Sequence, residues 1–305
     1  MNDRITVIVN PASGRGRGSR LLPDIRKTFA AVGVTDVQLT ERPGDERRLA
    51  ALALHNGATT IVACGGDGTW SNAANAILSS GADCRLALLA AGTGNDFAKT
   101  VGAPARDIAA TARLVAEGAE TMVDVGQIED RYFLNVTGFG FDIAVLDDLE
   151  NIPLVTGDLL YLSAALRQLF KFRGMPIDIT TESVARGSRA HLMLIIANGR
   201  NFGGMFQIAP DARINDGKLD AISILDAPPF TRISMLAAAP SGRHVRNPLV
   251  LSEQASKFTL KFSAPPAYET DGEYNTAKSS TIEISCIPGA LRVAAPTTKS
   301  MSVTV

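Results

Sequence analysis

The sequence predicts an α/β fold of two parts: an N-terminal doubly wound parallel sheet, then a mainly antiparallel β domain. Three observations predict it. Up to about residue 124, short β-branched runs alternate with helical patterns, the signature of βαβ units. Beyond that point the pattern changes to short alternating segments, as in an antiparallel sheet. The chain has 305 residues, and twelve of its 27 glycines fall in five tight clusters (14/16/18, 65/66/68, 92/94, 138/140 and 203/204). Those clusters follow predicted strands, where an open α/β sheet binds ligands outside the carboxyl ends of its strands. The expected boundaries are 1–124 for the first domain and 125–290 for the second, with 291–305 a C-terminal segment returning to the first.

Taken in order, Ile5–Val9 is a β-branched run ending at Asn10-Pro11, followed by a helix from about Arg17 to Val32. Val37–Thr40 reads as a second strand. Residues 45–56 form an amphipathic helix with Asp45 at its cap and Gly57 beyond its end. Thr60–Ala63 is a third strand, Ser71–Leu78 a helix and Arg85–Ala90 a fourth strand. Asp96 caps a helix to Val101 that Pro104 stops, and Arg106–Glu117 is another. The later strands are expected at 131–137, 176–181, 190–197, 218–225, 257–262 and 281–287, interrupted by one long helix over 157–172.

Composition excludes several classes. Hydrophobic residues make up 46%, charged residues 20% and aromatics 6%, as in a globular chain with a core rather than a disordered one. Thirty basic against 31 acidic residues leave a net charge of −1, so no chain-wide field favours nucleic acid. The apolar runs, such as Leu86–Ala91 and Leu192–Ala197, fall short of a membrane span, and Met1–Arg4 opens no signal peptide. Cys64, Cys84 and Cys286 have neither metal-ligand spacing nor a disulfide framework, which places the chain in a reducing compartment, the cytoplasm. His55, His191 and His244 share no ligand spacing and read as non-catalytic.

The turns carry the chemistry. In Asn10-Pro-Ala-Ser-Gly-Arg-Gly-Arg-Gly18, glycines let backbone N–H groups approach phosphate oxygens, the following helix adds its dipole, and Arg15 and Arg17 add charge. A flexible βα turn explains the same letters. A Walker A loop is absent, because Thr93 and Ala98 stand where its glycines should precede Lys99-Thr100. A dinucleotide fingerprint is absent too, since Ser19 and Phe97 occupy its third glycine positions. In Gly65-Gly-Asp-Gly-Thr69 an acid sits where the sheet edge exposes backbone. Asp67 there can hold Mg²⁺ or orient a hydroxyl while the amides bind phosphate; the alternative is an Asp-Gly turn, where a mere packing role for the acid is costly. In Gly92-Thr-Gly-Asn-Asp-Phe-Ala98, Asn95 and Asp96 are polar groups at a helix start.

Asn10–Gly14, Gly65–Thr69 and Gly92–Ala98 together resemble the nucleotide-binding signatures of the diacylglycerol kinase catalytic-domain family, which also includes sphingosine and ceramide kinases. The family is distantly similar to NAD kinases and phosphofructokinases. The resemblance continues through Asp124-Val-Gly, Asn135–Asp142, Asn198–Gly204, Ile208–Asp220 and Asp271-Gly-Glu273, in order over nearly the whole chain. It implies an NAD-kinase-like first domain and a β-sandwich second domain. It implies an ATP site from Asn10, Pro11, Ala12, Ser13, Thr40, Gly65, Gly66, Asp67, Gly68, Thr69, Thr93 and Asn95. Glu273 takes the role of base, with Asp67 as rival or partner, and Asp124 is a further acid or a hinge cap. A structural Mg²⁺ is implied on the Asp216 side chain and main-chain oxygens of Arg213 and Lys218; the family usually has an apolar residue at Lys218.

The implied activity is ATP- and Mg²⁺-dependent phosphorylation of a hydroxyl of diacylglycerol or a related lipid, with ATP and the acceptor meeting between the domains. The alternatives are a sphingosine- or ceramide-type lipid kinase, an NAD-kinase-like kinase of a soluble substrate, and a binding module without turnover. Leu159, Leu160, Leu162, Leu166, Leu169 and Phe170, followed by Arg167, Lys171 and Arg173, read either as a packed helix or as a transient peripheral contact with an anionic bilayer. Arg243–Arg246 reads as a solvated basic loop. A homodimer is compatible with the sequence.

Overall fold

The computed structural model describes residues 4–104, 106–149 and 167–296, and the chain divides into two compact units. The first comprises Met1–Val125, Ile214–Asp216 and Ile287–Val305, and the second Gly126–Arg213 and Gly217–Cys286.

In the first unit, β1 (Ile5–Val9) is flanked by β2 (Val37–Leu39) and β3 (Thr60–Gly65), and β4 (Arg85–Ala90) continues beyond β3, all parallel. The C-terminal end of the last strand adds next to β4, with Arg292 opposite Arg85. Every residue of β3 and β4 is buried, as expected of parallel strands covered on both faces. Val7, Val9, Val62, Cys64, Ala87 and Leu89 point to one face, where they meet Ile25 and Phe29 of α1 (Ser13–Ala31) and Leu114 and Val115 of α5 (Ile108–Glu117). α2 (Asp45–His55) and α3 (Asp67–Ser80) pack on each other and on the same strands, and α4 (Asp96–Val101) follows β4.

Two caps differ from expectation. Gly44, left-handed at φ 79°, caps α2, and the Asp45 carboxylate inside the helix accepts from the Glu41 N–H and pairs with Arg48 at 2.7 Å. Left-handed Asn95 caps α4, while Asp96 pairs with Lys99 at 2.9 Å. In both places a left-handed turn lets the chain enter the helix one residue earlier, so the acid falls in the first turn, where the dipole still favours it. α3 begins four residues before the expected start, which puts Asp67 in its first turn.

β5 (Thr121–Ile128) leads into the second unit, where β6 (Arg131–Phe133) pairs with it. There the antiparallel order is β14-β13-β7-β9-β8-β12-β15, with β10 on β9 and β11 on β10. The members are β7 (Val136–Gly140), β8 (Met175–Thr181), β9 (Ala185–Ala197), β10 (Leu219–Leu225), β11 (Val250–Ala255), β12 (Lys257–Lys261), β13 (Ala267–Thr270), β14 (Glu273–Thr276) and β15 (Thr281–Val293). Strand alternation serves two cores: Leu194 and Ile196 of β9 face one with Phe139, Phe258 and Tyr268, while Ile195 and Ala197 face another with Ile208, Ile222 and Met235. α6 (Phe141–Leu149) follows β7, and α7 (Pro229–Ala238), which no sequence expectation covered, follows β10. Residues 157–166 of the expected long helix lie outside the described residues, and residues 167–171 are helical. All three cysteines are free and buried; burial pushes the Cys64 thiol up to about 12.

Candidate active site

In the first unit the predicted turns gather at the carboxyl ends of β1, β3 and β4. Asn10 leaves β1 with its N–H on the Cys64 carbonyl, and its Oδ1 accepts the Ala12 N–H at 3.0 Å. The Ser13 hydroxyl and N–H return to the Asn10 carbonyl, and the Pro11 carbonyl accepts the Ser19 N–H. Thr40, buried, donates its N–H to Val9. Gly14, Arg15 and Gly16 are all left-handed, so the turn coils backwards before the helix proper. Arg17 donates to the carbonyls of Ala91 and Gly92 at 3.1 and 2.9 Å. Through Nη1 its guanidinium therefore braces one turn against another.

One residue of this cluster escaped the sequence reading. Asn10 Nδ2 donates to Glu46 Oε1 at 2.8 Å, and the Thr69 hydroxyl donates to the same oxygen at 3.1 Å. Glu46, 3% exposed, thus ties the Asn10 turn to the Gly65–Thr69 turn. The signal was present: Glu46, Leu49, Ala50 and Ala53 fall at i, i+3, i+4 and i+7, so an acid sits on the apolar stripe of α2.

The second and third turns meet through glycine. A Cβ on Gly92 would lie 2.5 Å from the Gly66 Cα, so that position admits no side chain without separating the loops, and a Cβ on Gly66 would meet the Gly92 Cα at a tight 3.2 Å. Gly92→Ala is expected to destabilise the chain by about 1–3 kcal/mol in urea unfolding, the usual cost of overpacking. Asn95 Nδ2 donates to the Gly92 carbonyl, and Thr93 stands exposed at the rim. Asp67 Oδ1 accepts the Phe97 N–H at 3.0 Å, joining α3 to α4. Burial pushes the Asp67 carboxyl above the usual range, opposed by that N–H and reinforced by Asp96. Gly68, beside it, has open space around the position of a Cβ.

In the second unit, Asp271 and Gly272 are the two left-handed residues of a tight hairpin, with Thr270 opposite Glu273. That is type I′ geometry, for which Asp-Gly is a preferred pair, so the turn accounts for two letters of the Asp-Gly-Glu motif. The Asp271 carboxylate accepts the N–H groups of Leu134, Asn135 and Val136 at 2.8, 2.9 and 3.1 Å. Removing it strands three buried donors, and Asp271→Ala is expected to cost at least about 3 kcal/mol in urea unfolding. Glu273 remains partly exposed, paired with Arg131, which also donates to Asn275.

Arg213, Asp216 and Lys218 lie within one loop, where Asp216 is exposed. One carboxylate and two main-chain carbonyls are hard oxygen donors of the kind Mg²⁺ accepts alongside water. No group of three or more His, Cys, Asp or Glu side chains that could hold a metal occurs among the described residues. The Asp124 carboxylate accepts the Gly289 N–H at 2.7 Å, and its own N–H donates to the Ile214 carbonyl. The second unit also holds a cavity of about 340 Å³, lined mostly by apolar groups including Phe141, Leu169, Leu192, Phe206, Ile224 and Met235.

Comparison with known proteins agrees with this layout. Residues 4–128 match the diacylglycerol kinase catalytic domain, and residues 135–295 match the YegS C-terminal NAD kinase beta sandwich-like domain. The chain is 31% identical over 306 residues to a diacylglycerol kinase of Mycobacterium tuberculosis (strain ATCC 25618 / H37Rv), covering 96% of this chain and 95% of that protein. Its fold is shared with a diacylglycerol kinase from Bacillus anthracis str. Sterne (TM-score 0.75, 22% identity, 96% of this chain and 97% of that one). An NAD kinase from Archaeoglobus fulgidus in complex with ATP is similar at TM-score 0.54 and 12% identity, over 95% of this chain and 92% of that one. With both of its halves matched and a relative above 30% identity along almost its full length, the chain belongs to the diacylglycerol kinase family, kinases that transfer a phosphoryl group to an alcohol.

Proposed function

We propose that this kinase takes its phosphoryl group from Mg²⁺-bound ATP and delivers it to a hydroxyl of a lipid. The observation that carries the lipid assignment is the apolar cavity of the second unit, whose volume of about 340 Å³ lies in the range of small-molecule pockets. A soluble, charged acceptor such as a dinucleotide finds little there to pair with. The relatives' own name, diacylglycerol kinase, supports the same class.

On this reading the N-terminal turn of α3 presents its N–H groups to phosphate, and the space beside Gly68 lets an oxygen approach. Asn10, Thr69 and Glu46 hold the neighbouring turn in one arrangement. Mg²⁺, when bound, neutralises charge on the phosphates, and the Arg213–Lys218 loop would hold a structural ion. Asp67 and Glu273 are the carboxylates available to accept the acceptor's hydroxyl proton. Four exposed apolar side chains, Phe170, Met205, Phe230 and Ile233, sit on the segments that line the cavity, with Lys171 and Arg173 beside the first. They support peripheral contact with an anionic bilayer, from which a lipid has to be drawn.

Incubation with γ-labelled ATP, Mg²⁺ and lipid micelles is expected to send label into the organic phase, and chelation of Mg²⁺ to abolish it. With a soluble dinucleotide added, label carried by that dinucleotide and absent from the organic phase would instead favour an NAD-kinase-like activity.

A further inference from the structure

One glycine cluster of the sequence, Gly138 and Gly140, takes no part in the turns of the first unit, and the second unit shows what it makes room for. Gly138 on β7 stands opposite Glu269 on β13. Side chains of such a pair share one face of the sheet, so the missing one leaves space there. Gly140, left-handed at φ 108°, turns the chain from β7 into α6 and sets Asp142 in the first turn of that helix. Two carboxyls occupy the space: a Cβ on Gly138 would lie 2.4 Å from Asp142 Oδ2 and 3.1 Å from Glu269 Oε1. Asp142 is 6% exposed and Glu269 2%.

Neither carboxyl has an ion-pair partner among the described residues. Arg232, on the cavity that Asp142 lines, donates to the carbonyls of Ala227 and Leu169 and pairs with Asp226, and His244 on the same cavity directs Nε2 to the Ile208 carbonyl. β7 brings no titratable group, and His191 of β9 is turned to the Arg189 carbonyl. Asp271 and Glu273, on the hairpin itself, add only negative charge. Two adjoining buried carboxyls without a cation cannot both ionise, so one keeps its proton and shares it with the other. Asp142 is the anion, because the start of α6, with the Ile143 N–H, favours negative charge there. Burial pushes Asp142 up to about 6 and Glu269, with Asp142 as neighbour, well above the carboxylate range, in keeping with that assignment.

Glu269 also reaches the hairpin that carries Glu273. Its Oε2 accepts the Gly272 N–H at 2.6 Å, and the Thr137 hydroxyl donates to its main-chain carbonyl at 2.8 Å. We infer that Asp142 and Glu269 share one proton and act as positioning residues, clamping the β13–β14 hairpin against α6 and so fixing Glu273. The inference rests on the role proposed for Glu273 and names what holds that residue from behind. Loss of the shared proton sets a second buried charge beside Asp142 and Asp271, and the repulsion loosens the turn.

The test measures kcat with γ-labelled ATP and dipalmitoylglycerol micelles from about pH 6 to about pH 10. In parallel, and without substrate, amide exchange of residues 267–276 is followed by mass spectrometry. Wild-type kcat is expected to fall with one ionisation on the alkaline side. Glu269→Gln and Asp142→Asn each leave at most one buried charge in the pair, and each should remove that fall or move it by about one pH unit or more. Glu269→Leu removes the acceptor of the Gly272 N–H. It should lower kcat about tenfold near pH 7 with KM for ATP unchanged, and speed exchange of the hairpin several-fold, both losses being largely recovered in Glu269→Gln. Because exchange needs no substrate, it decides the clamp even where another lipid is the acceptor, and the two amide variants decide it if Glu269→Leu does not fold. An alkaline fall that stays unmoved in both amide variants, or hairpin exchange in Glu269→Leu equal to wild type, would overturn the inference alone. Full turnover in folded Glu273→Gln would overturn the role of Glu273 and the inference with it.

Discussion

Asp67→Asn is expected to lower kcat by about 10²-fold or more while the protein still folds. The substitution separates two roles. Asp67 accepts the Phe97 N–H through one carboxylate oxygen, and an asparagine oxygen can accept the same bond. A residue that only joined α3 to α4 would therefore tolerate Asn, and near-normal turnover in a folded variant would remove Asp67 from the chemistry. Stability supplies an independent readout. Because burial raises the folded-state pKa of Asp67, its ionised form costs the fold free energy at pH values above that pKa. The cost shrinks as pH falls through the folded pKa and is gone below the unfolded one. Asp67→Asn should accordingly melt at or above the wild-type temperature near pH 8, with the advantage vanishing in acid.

Glu273→Gln is expected to cause a loss of similar size, about 10²-fold in turnover, and here the comparison is with Arg131. The two side chains form an ion pair in which both are partly exposed, a setting in which such pairs contribute at most about 1 kcal/mol. Arg131→Met should thus cost several-fold in rate and little stability, because it removes the carboxylate's holder but leaves the carboxylate. If Glu273→Gln and Arg131→Met lost activity equally, the pair would matter only as a brace. A larger loss in Glu273→Gln identifies the carboxylate itself as the acting group. Initial rates at saturating ATP and lipid, with urea unfolding of each variant, decide between these outcomes.

How far the sequence carried can be followed residue by residue. The β1, β3 and β4 strands were legible because apolar β-branched runs between turn residues are a local pattern, and the glycine-rich turns follow from where those strands end. The expected Asp45 and Asp96 caps illustrate a local pattern misjudged: Gly44 and Asn95 turn left-handed one residue earlier. The β13–β14 hairpin was written in Asp271-Gly272, yet its neighbours Thr270 and Glu273 carry no apolar alternation to mark it as strand. Glu46 was visible only as an acid on an apolar stripe, and nothing local tells whether such an acid meets an amide, a metal or another helix.

By itself the sequence determined the family, the order of elements in the first unit and the turns that gather at its strand ends. These depend on turn chemistry and hydrophobic periodicity, which act over a few residues. Only the tertiary structure decided which polar groups are satisfied. The Asp271 carboxylate is taken up by N–H groups more than 130 residues away, and Arg17 Nη1 reaches the carbonyls of Ala91 and Gly92, 74 and 75 residues on. Glu46 is taken up by Asn10 and Thr69, 36 and 23 residues away. Whether a buried acceptor finds a donor depends on segments that meet in space, which no local pattern of residues reports.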